Sequence, residues 1–352
     1  MNENKENITV LVIGDPHFKV CNIPESDQMT INLVKLAKEK QPTLIVCLGD
    51  ILHRHETIHV SPLMRAETMI KQLSEIAPTF LLIGNHDRPN NSNYLTDEHP
   101  FNALKDWDNT YIADKVIDVT IQHQRFIMVP YVPPGRFMDA LNTIKDPLGL
   151  ESGHKPVIFC HQEFYGAKMG AICSQAGDKW LLEYPFVISG HVHDYDRLQK
   201  NLIYVGTPMQ HSFGCKIDKS VSIFTFYETN NDIDSEGTNW SEQREDLGLI
   251  KRIIVYLKPQ DIHTYEPPTD KLVKIVFRGD ESEIKAIAKL DRIKELKKQG
   301  VKIAFKTTNN LAGNENFTQE QMNITRVGYK DRLFTEISED AHQRKWFEKI
   351  FS

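Results

Sequence analysis

The chain has 352 residues, more than one hydrophobic core usually organises, so a large unit with a smaller module is expected. Its five cysteines (Cys21, Cys47, Cys160, Cys173, Cys215) form no Cys-x-x-Cys pair, which argues against a disulfide scaffold. The amino terminus is polar and no apolar run approaches the roughly 18 residues of a membrane helix, so a soluble, unexported, intracellular protein is expected. A formal charge of −6 would argue against a nucleic-acid ligand if it were evenly spread, but residues 251–310 carry 14 Lys and Arg against 8 Asp and Glu, a local balance of +6.

In chain order, residues 8–13, 43–48 and 79–83 are short, β-branched apolar runs without clean alternation, the pattern of strands covered on both faces. Between them, residues 28–40 (Ile31, Leu33 or Val34, and Ala37 on one stripe) and 62–77 (Met69, Ile70 and Leu73 inward) have helical periodicity, giving βαβαβ. Residues 116–121 and 125–129 read as an antiparallel pair around Gln122-His123-Gln124, residues 157–160 and 186–189 as further central strands, and 202–205 with 221–227 as a second antiparallel pair. The polar, acidic residues 230–248 read as a loop, 250–257 as a strand, and 261–270, with Pro267-Pro268, as a linker. Beyond lie a strand (272–277), a helical stretch (281–299), a Gly300 stop and a strand (301–305), which make a small α/β cap. In the helical stretch Ile284, Ile287, Leu290, Ile293 and Leu296 recur every third residue, drifting around a 3.6-residue helix, so two short helices broken near Asp291 are predicted.

Five of the strand-like runs end in metal-ligand residue types: Asp15-Pro16-His17, Gly49-Asp50-Ile51-Leu52-His53, Gly84-Asn85-His86-Asp87, His161, and Gly190-His191-Val192-His193. A single Asp or His after a strand is usually a solvated loop residue; an ordered series of five is poorly explained that way. In an extended segment residues i and i+2 point the same way, so Asp15 with His17, and His191 with His193, form chelating pairs. A ligand shared by two ions must be a carboxylate, because one imidazole nitrogen cannot bind both, and Asp50 after its glycine is the choice. Asn85 adds an oxygen donor and His161 a nitrogen. Asp, Asn and His without thiolate suit Mn²⁺, Fe²⁺ or Zn²⁺ better than Ca²⁺ or Mg²⁺. Two such ions support in-line displacement at phosphorus. His86, beside Asn85 and not needed as a ligand, is placed to protonate a leaving alkoxide, with Asp87 to orient it or raise its pKa, and His53 is one helical turn from Asp50, within reach of the same phosphate.

These segments resemble the calcineurin-like metallophosphoesterase superfamily, and within it the SbcD-type nucleases of meiotic recombination and double-strand-break repair. The narrower resemblance rests on Tyr204-Val205-Gly206-Thr207-Pro208-Met209-Gln210-His211-Ser212-Phe213-Gly214, which is similar to that group's strand-Gly-Ser/Thr-Pro-x-x-x-Ser-Phe segment. The resemblance implies an α/β fold, a two-sheet sandwich flanked by helices with a small α/β capping domain. Its parts would be a metallophosphoesterase domain over 1–258, a basic cap over 259–310 and a C-terminal tail with an amphipathic helix over 311–352. It implies one metal on Asp15, His17, Asp50 and His193, a second on Asp50, Asn85, His161 and His191, and His86 with His53 as the catalytic pair. It further implies two Mn²⁺ ions, exonuclease activity on duplex DNA, endonuclease activity on single-stranded DNA, a homodimer, an SbcC-type coiled-coil ATPase partner and no membrane association. The alternative is a small-molecule phosphodiesterase or a protein phosphatase of the same fold. The phosphatase is disfavoured because Ile-Leu-His follows Asp50 where such enzymes have Val-Asp-Arg-Gly, and because Asp87 replaces their Glu. One departure is Phe18-Lys19, where many relatives carry a glycine shortly after the first histidine.

Other residues read more plainly. His55 and His59 are expected to be ordinary loop residues, and His211, left out of the site, either to line a DNA groove or to pack. Lys294, Lys297 and Lys298 are the candidates for contact with a DNA backbone. Trp346, Phe347, Ile350 and Phe351 form an apolar stripe on a helix from about Asp340 that packs on the chain itself or docks a partner.

Overall fold

The computed structural model describes residues 7–55, 57–170, 172–228 and 239–307. Two six-stranded sheets form the large part. The first runs in the order Trp240–Glu245, Val221–Phe226, Ile8–Ile13, Leu44–Cys47, Thr79–Leu82, Thr110–Ala113, and the last four strands are parallel. The second runs Asp196–Gln199, Leu202–Tyr204, Phe186–Ser189, Val157–Cys160, Gln124–Val129, Ile117–Ile121. Alternate residues explain why the central strands lack a polar face. Ile8, Val10 and Val12 point into a core shared with Phe126, Met128, Phe159 and Ile188 of the facing sheet, whereas Leu11 and Ile13 point outward against Met29, Leu33, Met69 and Leu73 of two helices. The architecture is the expected two-sheet sandwich with helices outside.

Those helices are Ile23–Lys40 and Val60–Ser74. The first starts five residues before the predicted 28, because Pro24 sits in its first turn, where the missing N–H costs nothing. It stops at Gln41, which is left-handed (φ 46°) and returns its N–H to the Ala37 carbonyl. Ile31 does not share the buried stripe with Leu33 and Ala37; it is 59% exposed.

Three sequence expectations are corrected. Residues 202–204 and 221–226 do not pair with each other: the first strand lies in the second sheet against Phe186–Ser189 and the other in the first sheet against Ile8–Ile13. The connection between them crosses from one sheet to the other. Within the expected loop at 230–248, Trp240–Glu245 is an edge strand with alternating burial, Ser241 and Gln243 turned to water, Glu242 bonded inward to Ser222 and Tyr195, and Trp240 stacked 4.2 Å from Phe186. Finally, Lys251–Leu257 is hydrogen-bonded in parallel to Lys271–Gly279, which pairs with Lys302–Thr307. A boundary at 258 would therefore cut a strand from the small sheet to which it belongs.

That small sheet carries Glu281–Ala288 and Asp291–Lys298, two helices broken where the periodicity drifts. Ile287, Ile293 and Leu296 pack on Val273, Ile275 and Phe277. Asp280 caps the first helix by accepting the Glu283 N–H (2.8 Å), while Glu283 accepts the Asp280 N–H (3.0 Å). The small sheet is seated on the large part by Gln210 and Arg252, which exchange side-chain and backbone hydrogen bonds of 2.7 and 3.1 Å, and Arg252 also pairs with Glu25. Lys302 lies over the ring of Phe213 at 5.4 Å. The expected C-terminal helix with Trp346, Phe347, Ile350 and Phe351 falls outside the described residues. Among the described residues no helix is long and apolar enough to cross a membrane.

Candidate metal centre

All five motif-bearing turns lie at the carboxyl ends of strands, and the sandwich gathers them in one place. The backbone there is bent sharply: His17 (φ 45°), Asp50 (φ 49°) and His191 (φ 77°) occupy the left-handed region, which L residues other than glycine seldom adopt. Gly84 has no room for a side chain, since a Cβ would lie 2.2 Å from the Asp50 nitrogen and 2.3 Å from its Oδ1. Glycine here lets the turns after the second and third strands touch, which brings Asp50 against the His86 backbone, whose N–H donates to Asp50 Oδ1 at 2.8 Å.

Among the described residues three donor groups result, and one of them, His17 with His53 and His86, lies on the flank of the other two. In the first of those two, Asp15, His17 and His193 present ligand atoms within 4.8 Å of one another; in the second, Asp50, His161 and His191 do so. His17 Nε2 faces His193 Nε2 at 3.0 Å, and Asn85 Oδ1 lies 3.0 Å from both His161 Nε2 and His191 Nδ1. Asp50 stands between the clusters, with Oδ2 3.6 Å from His17 Nε2 and Oδ1 3.4 Å from His161 Nε2. The outer ring nitrogens are fixed by carbonyls: His161 Nδ1 donates to Leu48 at 2.8 Å, and His17 Nδ1 lies 3.3 Å from the Leu52 oxygen. In the neutral form of each ring, that leaves the inner Nε2 with a free lone pair. Asp15 accepts the His191 N–H at 3.0 and 3.2 Å, so the first chelating turn also steers the last.

Lone pairs converging in a buried, thiolate-free nest are what a divalent cation would satisfy, and the donor set fits two of them. Across residues 8–195, more than half of the chain, the sequence matches the model of the calcineurin-like phosphoesterase family. The chain is a member of that family. It is 37% identical over 308 residues to "Putative phosphoesterase 078R" of Invertebrate iridescent virus 3, covering 86% of each chain. It is 39% identical over 286 residues to "Putative phosphoesterase 244L" of Invertebrate iridescent virus 6, covering 81% of this chain and 98% of that one. Among solved structures, GAP50, the anchor in the inner membrane complex of Plasmodium, aligns with 15% identity and a TM-score of 0.38 over 68% of this chain and 89% of its own. Yfce, a phosphoesterase from E. coli, aligns with 11% identity and a TM-score of 0.30 over 62% and 91%. This phosphoesterase is therefore a hydrolase of phosphate esters from a family that uses divalent metals.

Without cations, the phosphoesterase centre has an uneven charge state. Burial, reinforced by the Asp50 charge, pushes the Asp15 carboxyl up to about 8 despite His161 nearby. Burial works against a charge on His161, but Asp50 and Asp15 outweigh it and raise that ring to about 9. Burial likewise works against the Asp50 charge, yet the imidazoles of His161 and His17 hold it well below the usual carboxylate range. Burial, with like charge from His161, takes His191 down to about 3, and burial takes His17 well below its ordinary value. Most of the histidines are thus neutral and ready to donate.

His86 lies beside the ligands with its ring 5.1 Å from that of His17; Nδ1 is 2.8 Å from the His53 carbonyl and Nε2 is 3.9 Å from Asp50 Oδ2. His53 stacks parallel to His86 at 5.8 Å, its pKa lowered to about 4 by burial and then by the Lys19 charge. Asp87 is corrected. Its buried carboxylate accepts the backbone N–H groups of Leu52 (2.8 Å), Ile51 (3.1 Å) and Gly84 (3.1 Å), tying the two glycine turns together, and it does not face the His86 ring.

Two histidines set aside in the sequence lie at the centre. His55 stacks on His86 at 4.6 Å and approaches the Arg88 carbonyl. His211 is 4.9 Å from the His17 ring and meets the Asp15 carbonyl at 3.0 Å. Tyr131, whose ring is 5.9 Å from that of His191, was not singled out either. Of the basic cap residues, Lys294 has its ammonium paired with Asp291 at 2.8 Å, while Lys297 and Lys298 are exposed on the same helix.

Proposed function

We propose that this phosphoesterase is a two-metal, Mn²⁺-dependent DNA nuclease that hydrolyses phosphodiester bonds, acting as an exonuclease on duplex DNA and an endonuclease on single strands during DNA end processing. The observation that carries the reading is the pair of donor clusters with Asp50 between them, within 3.6 Å of His17 and 3.4 Å of His161, and the His86 ring set against them. Bound cations would supply Lewis acidity toward the phosphate and a water acidified for in-line attack. Asp15, His17, Asp50 and His193 would hold one cation, and Asp50, Asn85, His161 and His191 the other.

The chain's own residues do the rest. A diester, unlike a good leaving group, needs a proton on its departing alkoxide. His86 is braced through Nδ1 on the His53 carbonyl, which leaves Nε2 to carry that proton on the side of the ring that faces Asp50. His55, stacked on the outer face, limits the tilt of that ring. His53 stays neutral at pH 7, so it offers a hydrogen bond to the phosphate rather than a charge.

DNA as the substrate is supported by the 204–214 segment, which seats the basic small sheet on the large part through Gln210 and Phe213. Lys297 and Lys298 would meet the backbone, and Lys294 less strongly because Asp291 offsets its charge. The same reading assigns a homodimer and a coiled-coil ATPase partner of SbcC type. Exposed Val60 (71%) and Met64 (59%) on one helix, beside Ile31 on its neighbour, suit a self-contact. The test is incubation with end-labelled duplex, circular single-stranded DNA and a chromogenic phosphomonoester, each with Mn²⁺, Mg²⁺ or chelator. Cleavage of both DNAs with Mn²⁺ is expected; breakdown of the monoester alone would replace the nuclease by a phosphatase.

A further inference from the structure

We propose that a cationic recess beside the metal centre binds a second phosphate of the substrate, one nucleotide removed from the bond that is cut; this rests on the phosphodiesterase reading above. The recess holds about 230 Å3 between the turn after His17 and the segment after Asp50. Lys19, Arg54, His53 and His59 line it, Phe18 and Leu52 contribute to its wall, and no carboxylate is among the described residues that line it.

Lys19 is half-buried and uses one donor on the His211 carbonyl at 3.2 Å, which leaves its other N–H groups for a ligand. Glu25, the carboxylate that acts on Lys19, is taken by Arg252. Arg54 is exposed and has no hydrogen bond or ion pair with any described residue. His53 joins the recess to the metal centre: its ring is 5.2 Å from that of His17, and its Nδ1 is buried without a partner. Holding a lysine partly out of water while Glu25 is paired with Arg252 is costly, and an arriving anion offsets that cost. An ammonium and a guanidinium flanked by imidazoles match the oxygens of a phosphate.

The neighbouring recess, across Leu52 and Arg54, differs in character. Ile58, Pro89 and Pro100 share its lining with Arg54, Arg88, His86 and His99 on one side of the charge balance and Asp87 and Glu98 on the other, so its charge is mixed, whereas the described lining of the first recess carries no carboxylate. The cationic recess sets the preference for substrates with more than one phosphate.

The experiment compares kcat/KM for three thymidine dinucleotides, unphosphorylated, 5′-phosphorylated and 3′-phosphorylated, with Mn²⁺. The full chain should cleave one phosphorylated form about tenfold to a hundredfold better than the unphosphorylated one, the value of one or two charge-assisted contacts. In Lys19→Gln/Arg54→Gln that ratio should collapse to about one, while Lys19→Arg/Arg54→Lys should keep most of it. Arg54→Gln alone, at an exposed position that does not threaten folding, should lower the ratio by roughly threefold or more, and it decides the matter if the double variant is unstable. A wild-type ratio near one, or a ratio unmoved by the Gln substitutions while diesters are still cut, overturns the subsite and leaves the phosphodiesterase standing. Failure of the wild type to cut any of the three overturns both.

Discussion

Asp87→Ala should weaken the protein and its metal binding together. The carboxylate is buried and accepts three backbone N–H groups, from Ile51, Leu52 and Gly84. Removing it leaves three donors without a partner at about 1–3 kcal/mol each, discounted because a water can enter the space, so a loss of roughly 3–6 kcal/mol is expected. Asp87→Asn keeps one good acceptor but turns an NH₂ toward an N–H, a conflict of roughly 1–3 kcal/mol. At about 2–4 °C per kcal/mol for a domain of this size, the Ala variant should melt on the order of 10 °C lower. Metal content should fall with it, because the three N–H groups belong to the turns that hold Asp50 and Asn85. The assay is calorimetry at pH 8, above the value of about 6 to which burial and then the Asp50 charge raise Asp87, with metal counted by mass spectrometry. An Asn variant with wild-type melting and both metals, but a displaced pH–rate profile, would refute this reasoning and return Asp87 to a role on His86.

Other expectations follow from the same geometry. Asp50→Asn removes the one carboxylate between the clusters and should weaken both metal positions by more than about tenfold, as read by calorimetric titration; undiminished occupancy at both would overturn the bridge. His86→Ala should keep both metals and lose roughly 10²–10⁴ in diester cleavage, and unchanged cleavage would remove the proton-donor role. Metal binding should release protons at pH 7. Asp15 (about 8) and His161 (about 9) are raised, hence protonated in the metal-free centre, and must lose those protons to coordinate, whereas His191 (about 3) releases none. Apparent affinity should therefore rise with pH until about 9 and then level off, and titrations in buffers of different ionisation enthalpy measure the protons; affinity flat from pH 6 to 9 would contradict those shifts.

The central strands were legible because burial on both faces leaves only apolar, β-branched residues, and Ile8–Ile13 shows why: its alternate side chains feed two different cores. The same logic fails at the periphery. Trp240–Glu245 pairs on one side only, so its sequence Trp-Ser-Glu-Gln-Arg-Glu satisfies a half-solvated edge while reading as a loop. Residues 202–204 and 221–226 look like a hairpin because they are close in sequence and both apolar. Nothing local tells which sheet a buried strand joins, and the chain between them crosses the sandwich. Lys251–Leu257 was placed in the wrong unit for the same reason: parallel pairing with Lys271–Gly279 is a long-range choice, invisible in either strand alone.

The site divides along a similar line. The donors were legible because each ends a strand, where a short polar motif after an apolar run is conspicuous; the i, i+2 rule fails for the last motif, whose His191 sits at φ 77° and joins Asp50 and His161 while His193 joins Asp15 and His17. Asp87 lies in the most legible motif of all and was still misjudged, because adjacency to His86 suggested contact. A carboxylate in a tight turn turns back to the nearest unpaired N–H groups, and here three were closer to hand than a ring. His55 and His211 reach the centre by different routes. His55 rides on the segment after Asp50, close in sequence, and one more residue of spacing from His53 sets its ring over His86. His211 arrives on the connection that crosses between the sheets, and only the fold brings it to the Asp15 carbonyl. The crossing that defeated the strand-pairing expectation is thus the feature that completes the histidine cluster: a chain that had turned back as a hairpin after Tyr204 would leave His17 and Asp15 without the neighbour that closes them off on that side.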